Sequence, residues 1–376
     1  MQIKAFGKEL QFWIIALVGL LSIFIPTTLV IAIWYTVISS AISQAGVTPT
    51  TTPSPIPPRT LGTSYNFPWQ ERWRIVTHLF GFYHNVRNLI AVKDGVIFTD
   101  NLTGRADWLK FVNANNGNLQ WAVEFDSVID SITADENLVY VGGYHVNGKP
   151  GQSIGAYDLK TGELIWKSDT PLPDHTGYVL QLQAKNLYAY AYPPNLTYIF
   201  DTRTGKLVDQ VSVLGIGEKS FLLLQLNNKD ALYSSEDELL VMSRDDKVVW
   251  RTDLDVYLLQ KLPDIYEQML VIRFEEPNTL FDSLAGVELN TGKIIWRRSG
   301  EFYSNFVIVD NLLYVISKKA EILVLDPNKG QTISRAELLP NKVDMIHPVS
   351  AVAANEEMLY VYFLDSEELI AFEKVR

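Results

Sequence analysis

Five histidines are the residues best suited to hold a metal ion or move a proton near neutral pH: His78, His84, His145, His175 and His347. A metal site read from sequence needs ligands at short, repeated spacing on one element, as in HxH, HxxxH or HExxH. None of these occurs, and the nearest pair, His78 and His84, is six residues apart. Loop or core histidines are the expectation, and no metal ligand is assigned. Carboxylates pair at Asp245-Asp246, Glu275-Glu276 and Glu356-Glu357. Two carboxylates divide acid and base work only where a fold converges them and drives their pKa values apart. All three pairs fall at predicted turns, so solvated charges are expected and no catalytic residue is assigned. Gly142-Gly143 follows a strand-like run but opens no helix, which points to a bulge or turn rather than a phosphate-cradling loop. No Gly-x-Ser-x-Gly elbow occurs. The chain has no cysteine, which removes disulfides, thiolate metal sites, cysteine nucleophiles and a lipidated cysteine anchor. Asn101-Leu-Thr and Asn195-Leu-Thr match the glycosylation acceptor pattern, which matters only in a cell with that machinery. Tyr83, Tyr144, Tyr178 and Tyr192 fall at predicted loops, where their rings could line a binding surface.

These residues are carried by a repeat. A strand, an acidic turn, a Gly and a strand starting near a Trp recur as FVNANNGNLQW (111–121), AYDLKTGELIW (156–166), IFDTRTGKLVD (199–209), VMSRDDKVVW (241–250), GVELNTGKIIW (286–296) and VLDPNKGQTIS (324–334). Their last residues are spaced by 45, 43, 41, 46 and 38. A period of about 40–50 residues indicates repeat architecture. Asp or Asn starts each turn because its side chain bonds the backbone ahead. Gly closes it because that position needs a positive φ; Asp246 stands there in the fourth copy, where a short polar side chain is tolerated. Trp121, Trp166, Trp250 and Trp296 sit at equivalent places and are read as inter-blade packing. Upstream of each hairpin lies a β-branched and aromatic strand such as ENLVYVGG (136–143), KNLYAYAY (185–192) or EMLYVYF (357–363). Short apolar pieces such as SITA (131–134) and FVIV (306–309) precede those. Four short antiparallel strands per repeat make a propeller blade. After residue 60 no segment shows sustained helical periodicity, which disfavours α/β folds.

Six hairpin copies end at residue 334. The tail then offers three strands, at about 349–353, 357–363 and 368–374, and stops where a fourth should begin. The missing strand is found at the other end, where QERWRIVTH (70–78) places Trp73 in the anchor position, 48 residues before Trp121. The expectation is an all-β propeller of seven four-stranded blades, closed by the N-terminal strand so that no sheet end is free.

Ahead of the propeller, Phe12 to Ile38 contains no charged residue. A helix crosses a bilayer with about 20 apolar residues, whereas a signal peptide has an apolar region of about 7–15. An uncleaved transmembrane helix over 12–38 is expected, with cleavage after Ala45 as the competing reading. Pro26 is tolerated there as a kink. Lys4 and Lys8 precede the run and no charge follows it until Arg59, so residues 1–11 are placed in the cytoplasm and everything after residue 40 outside. Residues 39–65 form a linker whose core, VTPTTTPSPIPPRT (47–60), holds five prolines in a semi-rigid extended spacer. Residues 66–376 are the propeller. The chain carries a formal charge of −11; with Lys4, Lys8 and Arg59 against Glu9 in residues 1–59, the remainder carries −13. So acidic a domain is not expected to bind nucleic acid through a broad basic face.

The run Asp-x-x-Thr-Gly-x-x-x-Trp, as in DLKTGELIW (158–166) and nearly so in LNTGKIIW (289–296), resembles the repeat of the pyrroloquinoline-quinone-type β-propellers, the quinoprotein alcohol dehydrogenase-like superfamily. The resemblance covers residues 66–376. For enzymes of that family it implies a quinone on the ring axis, calcium or a similar ion, an Asp base and often a vicinal disulfide. Cysteine is absent here, and no Asp, Glu or Asn cluster of this chain can be placed on those ligands. For non-enzymatic members it implies scaffolds in envelope protein assembly. The reading favoured is therefore a membrane-anchored, extracytoplasmic and non-catalytic module binding protein partners on a propeller face, with no cofactor of its own. A quinone-dependent oxidoreductase, which would use pyrroloquinoline quinone and calcium, is the second reading. A carbohydrate- or ligand-sensing ectodomain is the third.

Overall fold

Met358–Phe363 is apolar at six successive positions, and all six are buried. In a strand, neighbouring side chains point to opposite faces, so an uninterrupted apolar run needs both faces covered. Leu359, Val361 and Phe363 pack into one cluster with Tyr314, Ile322 and Val324; Met358, Tyr360 and Tyr362 pack into another with Val96, Phe98 and Val112. One strand thus serves two interfaces, as expected of a sheet between two other sheets. The computed structural model describes residues 68–76, 84–102, 106–145, 152–170, 172–173, 177–192, 196–212, 220–226, 230–235, 238–243, 247–254, 257–258, 263–275, 282–337, 351–363 and 367–375. The expected transmembrane helix at 12–38 and the linker at 39–65 lie outside these residues. Among the described residues no helix is long and apolar enough to cross a membrane.

The strands form seven antiparallel blades. Blade 1 is His84–Val92, Gly95–Leu102, Ala106–Asn113 and Leu119–Phe125; blade 2 is Ser131–Ala134, Leu138–His145, Gln152–Asp158 and Leu164–Lys167. Blade 3 is Gly177–Gln183, Asn186–Tyr192, Leu196–Asp201 and Leu207–Ser212; blade 4 is Ser220–Gln225, Asp230–Ser235, Glu238–Ser243 and Val248–Asp253. Blade 5 has Tyr257–Leu258 and Asp264–Tyr266 sharing its innermost place, then Met269–Glu275, Asp282–Glu288 and the start of Ile294–Val309. That long strand continues into blade 6, followed by Leu312–Ser317, Glu321–Leu325 and Thr332–Glu337. Phe302, within it, pairs with Asp282 of blade 5 and Ser317 of blade 6. The piece FVIV (306–309) is therefore the end of a shared strand rather than a separate one. Blade 7 is Ala351–Ala354, Met358–Phe363, Glu368–Lys374 and, from the other end of the described chain, Trp69–Val76. Each successive pair of blades, including blades 7 and 1, shares its own apolar cluster, so the ring is closed.

Blades are joined by one recurring contact. Where an outer strand carries a Trp, its indole N–H donates to the carbonyl of the residue just after the Asp, Asn or Glu that starts the turn of the next blade. Trp73 reaches Ala114 O (2.6 Å), Trp121 Leu159 O (3.0 Å), Trp166 Thr202 O (2.8 Å), Trp250 Leu289 O (2.7 Å) and Trp296 Pro327 O (2.9 Å). Three residues on, the turn ends in Gly117, Gly162, Gly205, Gly292 or Gly330, all at positive φ. The turn itself explains the φ; the neighbouring Trp explains why no side chain is present. A Cβ on Gly162 would lie 2.8 Å from the Trp121 ring, and one on Gly205 would overlap the Trp166 ring.

Closure is fastened by charge as well as by strand pairing. Arg74 is 1% exposed and bonds Glu71, itself 2% exposed, at 2.8 Å, and Glu368 at 3.2 Å. Burial alone would lower the Arg74 pKa, but Glu71 and Glu368 more than reverse this and hold it above its ordinary value. A buried pair of this kind specifies register, because removing one partner strands the other charge.

Candidate functional site

An aliphatic pair stands just before the Trp position of blades 2 to 5: Leu164-Ile165, Leu207-Val208, Val248-Val249 and Ile294-Ile295. They lie on outermost strands: Ile294–Val309 pairs on both sides as it passes from blade 5 into blade 6, whereas the outermost strand of each of blades 2 to 4 has a sheet neighbour on one side only among the described residues. The strand's second backbone edge is unpaired there, and its side chains have no further blade layer over them. Outer strands of blades 1 to 6 accordingly expose aliphatic side chains, from Leu119 to Ile333, most densely on blades 2 to 4, where Val208 is exposed by 60%. Blade 3 differs from its neighbours. Its outer strand has Asp209 where blades 2 and 4 have Trp166 and Trp250, and every residue from Lys206 to Val211 is exposed. Native edge strands are blunted by charge, Pro or cover; this one carries Lys206 and Asp209 but three exposed aliphatic residues between and beyond them.

Two clefts also open at the rim. One, of about 850 Å³, draws on blades 6, 7 and 1, with three cations against five carboxylates lining it. Its charges pair internally, Arg72 with Glu373 at 2.5 Å and Lys374 with Asp310. The other, of about 740 Å³, lies between blades 5 and 6 and is lined by Arg298, Lys318, Lys319 and Arg335 with a single carboxylate, Glu321. Among the described residues no group of three or more His, Asp or Glu is placed to hold a metal ion.

A sequence model of the family of the outer membrane protein assembly factor BamB matches residues 68–231 and again 198–374. The chain belongs to the BamB family. The overlap of the two matches falls on blades 3 and 4, as a repeat permits when one description fits at two offsets. Among solved structures, BamB from Moraxella catarrhalis is 14% identical over 80% of this chain and 98% of its own, with a TM-score of 0.45. The computationally designed Ika8 protein is 13% identical over 78% of this chain and 98% of its own, with a TM-score of 0.50. At such identity the likeness concerns fold alone. A search of curated proteins by sequence matches none.

Within this BamB-family propeller, several residues singled out by sequence are placed differently from expectation. Tyr144 and Tyr178, expected in loops, lie in strands and are 4% and 2% exposed. Tyr144 packs edge-on against Phe125 at 5.0 Å, and burial drives its phenol pKa far up. Tyr192 ends a strand, and Tyr83 lies outside the described residues. The cause at Tyr144 is the bulge expected at Gly142-Gly143: register shifts between Gly142 and Tyr144, and Gly143 takes φ +82° against the Asp130 carboxylate. Glu275 ends a strand rather than sitting in a turn, whereas Glu356 and Glu357 are exposed at one. His84 and His145 stand at strand ends; His78, His175, His347 and Asp245-Asp246 lie outside the described residues. Neither the aliphatic edge nor the basic cleft was found from sequence. The signal for the first was present, as an aliphatic pair repeated before successive Trp positions.

Proposed function

We propose that this chain is a non-catalytic, protein-binding scaffold, anchored by residues 12–38 and holding its propeller outside the cytoplasm. The edge of blades 2 to 4 is its docking surface. The observation that carries the reading is the outer strand Leu207–Ser212, whose outer edge is unpaired among the described residues, which exposes Leu207, Val208 and Val211, and which has Asp209 where blades 2 and 4 bury a Trp. An edge of this kind takes an added strand from a partner: main-chain hydrogen bonds supply affinity and the alternate side chains supply selection. Family membership supports the same reading, since the family is named for an outer membrane protein assembly factor. The uncharged run before the linker and the lysines ahead of it support anchoring and orientation.

The test is site-specific photo-crosslinking in the cell that makes the protein, with the probe at Val208 or at Ile333, which is 56% exposed on blade 6. A discrete adduct at position 208, absent at 333 and lost on Val211→Lys, is the expected result. Equal labelling at both positions, or none at either, would remove the docking edge from consideration.

A further inference from the structure

Residues 293–335 reverse the sign of the charge around them, with seven Lys and Arg against four Asp and Glu in a region that carries −13 overall. Concentrating like charge costs free energy, because each cation raises the cost of the next. The fold nonetheless gathers Arg298, Lys318, Lys319 and Arg335 around one cleft. Arg298 comes from blade 5 and is held across the gap: its guanidinium donates to the Thr332 hydroxyl at 2.9 Å and to Gly330 O at 3.4 Å of blade 6, and lies over the Phe302 ring at 5.5 Å. Lys318 and Lys319 sit on the tight turn between Ser317 and Glu321. That turn is fastened by Ala320 N donating to Ser317 O (2.9 Å) and Lys319 N to the Ser317 hydroxyl (3.2 Å), with Ala320 at φ +57°. The single carboxylate, Glu321, accepts from the Ser317 hydroxyl at 3.4 Å and faces Arg335 at 3.8 Å.

We propose that this cleft binds a phosphate group, either free in solution or presented by a phosphodiester headgroup. A planar guanidinium supplies paired donors to a phosphate, and lysines supply point charge beside it. A surplus of cations over carboxylates suits an anionic ligand. The volume, about 740 Å³, falls in the range of about 300–1,000 Å³ typical of organic-ligand pockets, which leaves space for the molecule that carries the phosphate. The acidic cleft at blades 7 and 1 is of similar size but opposite balance, and serves as an internal control. The proposal is independent of the docking edge, which lies on blades 2 to 4.

The full chain, solubilised in detergent, is titrated with inorganic phosphate and separately with glycerophosphoglycerol, the free headgroup of phosphatidylglycerol. Melting temperature is followed against chloride at equal ionic strength. Saturable stabilisation is expected, since a ligand that binds only the folded state raises its stability. Lys318→Glu together with Lys319→Glu, both exposed, should weaken binding by about tenfold or more, the effect of roughly one strong charge-assisted contact. Lys93→Glu in the acidic cleft should leave it unchanged. Tighter binding of inorganic phosphate assigns free phosphate as the ligand; tighter binding of the diester assigns a headgroup; either upholds the site. No saturable shift, or equal loss on Lys93→Glu, overturns it. Should the double reversal not fold, Lys319→Gln carries the same test, with a smaller loss of affinity expected.

Discussion

The junction between blades 2 and 3 and the junction between blades 3 and 4 are built from the same repeat and hold together differently. At the first, Trp166 donates to Thr202 O at 2.8 Å and covers Gly205, and twelve buried apolar residues share the interface. At the second, Asp209 stands in place of Trp, and among the described residues the shared cluster has Tyr190 and Ala231 buried, with three more half-buried. The turn of blade 4 also differs. Val241 pairs with Trp250, nine residues on, whereas Ala156 pairs with Trp166 and Gly286 with Trp296, ten residues on. That turn is one residue shorter and contains no Gly. Asp246 is thus not a simple replacement at a turn of unchanged length, as the repeat alone suggests. The remaining Trp-less outer strand, with Ser334, faces blade 7, whose third and fourth strands are Glu368–Lys374 and Trp69–Val76 from opposite ends of the described chain. No hairpin turn exists there for a Trp to cover. Trp and the glycine-closed turn ahead of it are present together or absent together, because each is half of one contact between blades.

The largest way to break this comparison is to remove its central ring. Trp166→Ala should cost about 3–5 kcal/mol, as large aromatic truncations in packed cores do, read as a lower denaturant midpoint. Gly205→Ala alone should cost about 2–4 kcal/mol, from the strained φ and from overlap with the ring. In the Trp166→Ala background that cost should fall by more than about 1 kcal/mol, since the overlap is gone. Strictly additive costs would show that the two residues are not coupled.

A smaller effect sharpens the other side. Asp209→Trp alone should lower stability by about 1–3 kcal/mol, because the turn sequence ahead is one residue shorter and lacks the Gly against which the other rings pack. Replacing Ser243–Lys247 with the blade 3 sequence at Asp201–Lys206 in the same variant should recover that loss in the same unfolding measurement. Failure to recover would mean that blade 4 excludes Trp for a reason other than its turn.

The smallest effect is one of pH. Hydrogen bonds from the Thr161 and Lys160 amides hold the Asp158 carboxyl below its ordinary pKa, and the Thr204 hydroxyl and amide do the same for Asp201. Both pKa values are lowered on folding, so the stability they contribute is complete above the unfolded value of about 3.9 and is lost as pH falls through the folded one. Asp201→Asn should flatten the acid limb of melting temperature against pH below about pH 4. Blade 1 already uses Asn113 at this place, accepting from Asn115 N at 2.8 Å, and needs no charge to do so.

Sequence alone determined the all-β class, the period, the blade number and closure by the N-terminal strand. These follow from local chemistry: alternating or continuous apolar runs, turn residues at fixed offsets, and a tail that ends one strand short while the start supplies one. The bulge at Gly142-Gly143 was legible too, but its consequence for Tyr144 was not, since which face a ring takes depends on register with a neighbouring strand. The tertiary structure decided what each repeated residue is for. Gly205 lies 39 residues from Trp166 in sequence, and only the stacking of blades brings the two into contact. In the same way the cations of residues 298 and 335 read as scattered surface charge until the strand shared by blades 5 and 6 brings them to one cleft. A repeat writes each blade's hairpin locally, whereas the interfaces that hold the ring and the surfaces it presents arise between copies, where spacing along the chain carries no direct signal.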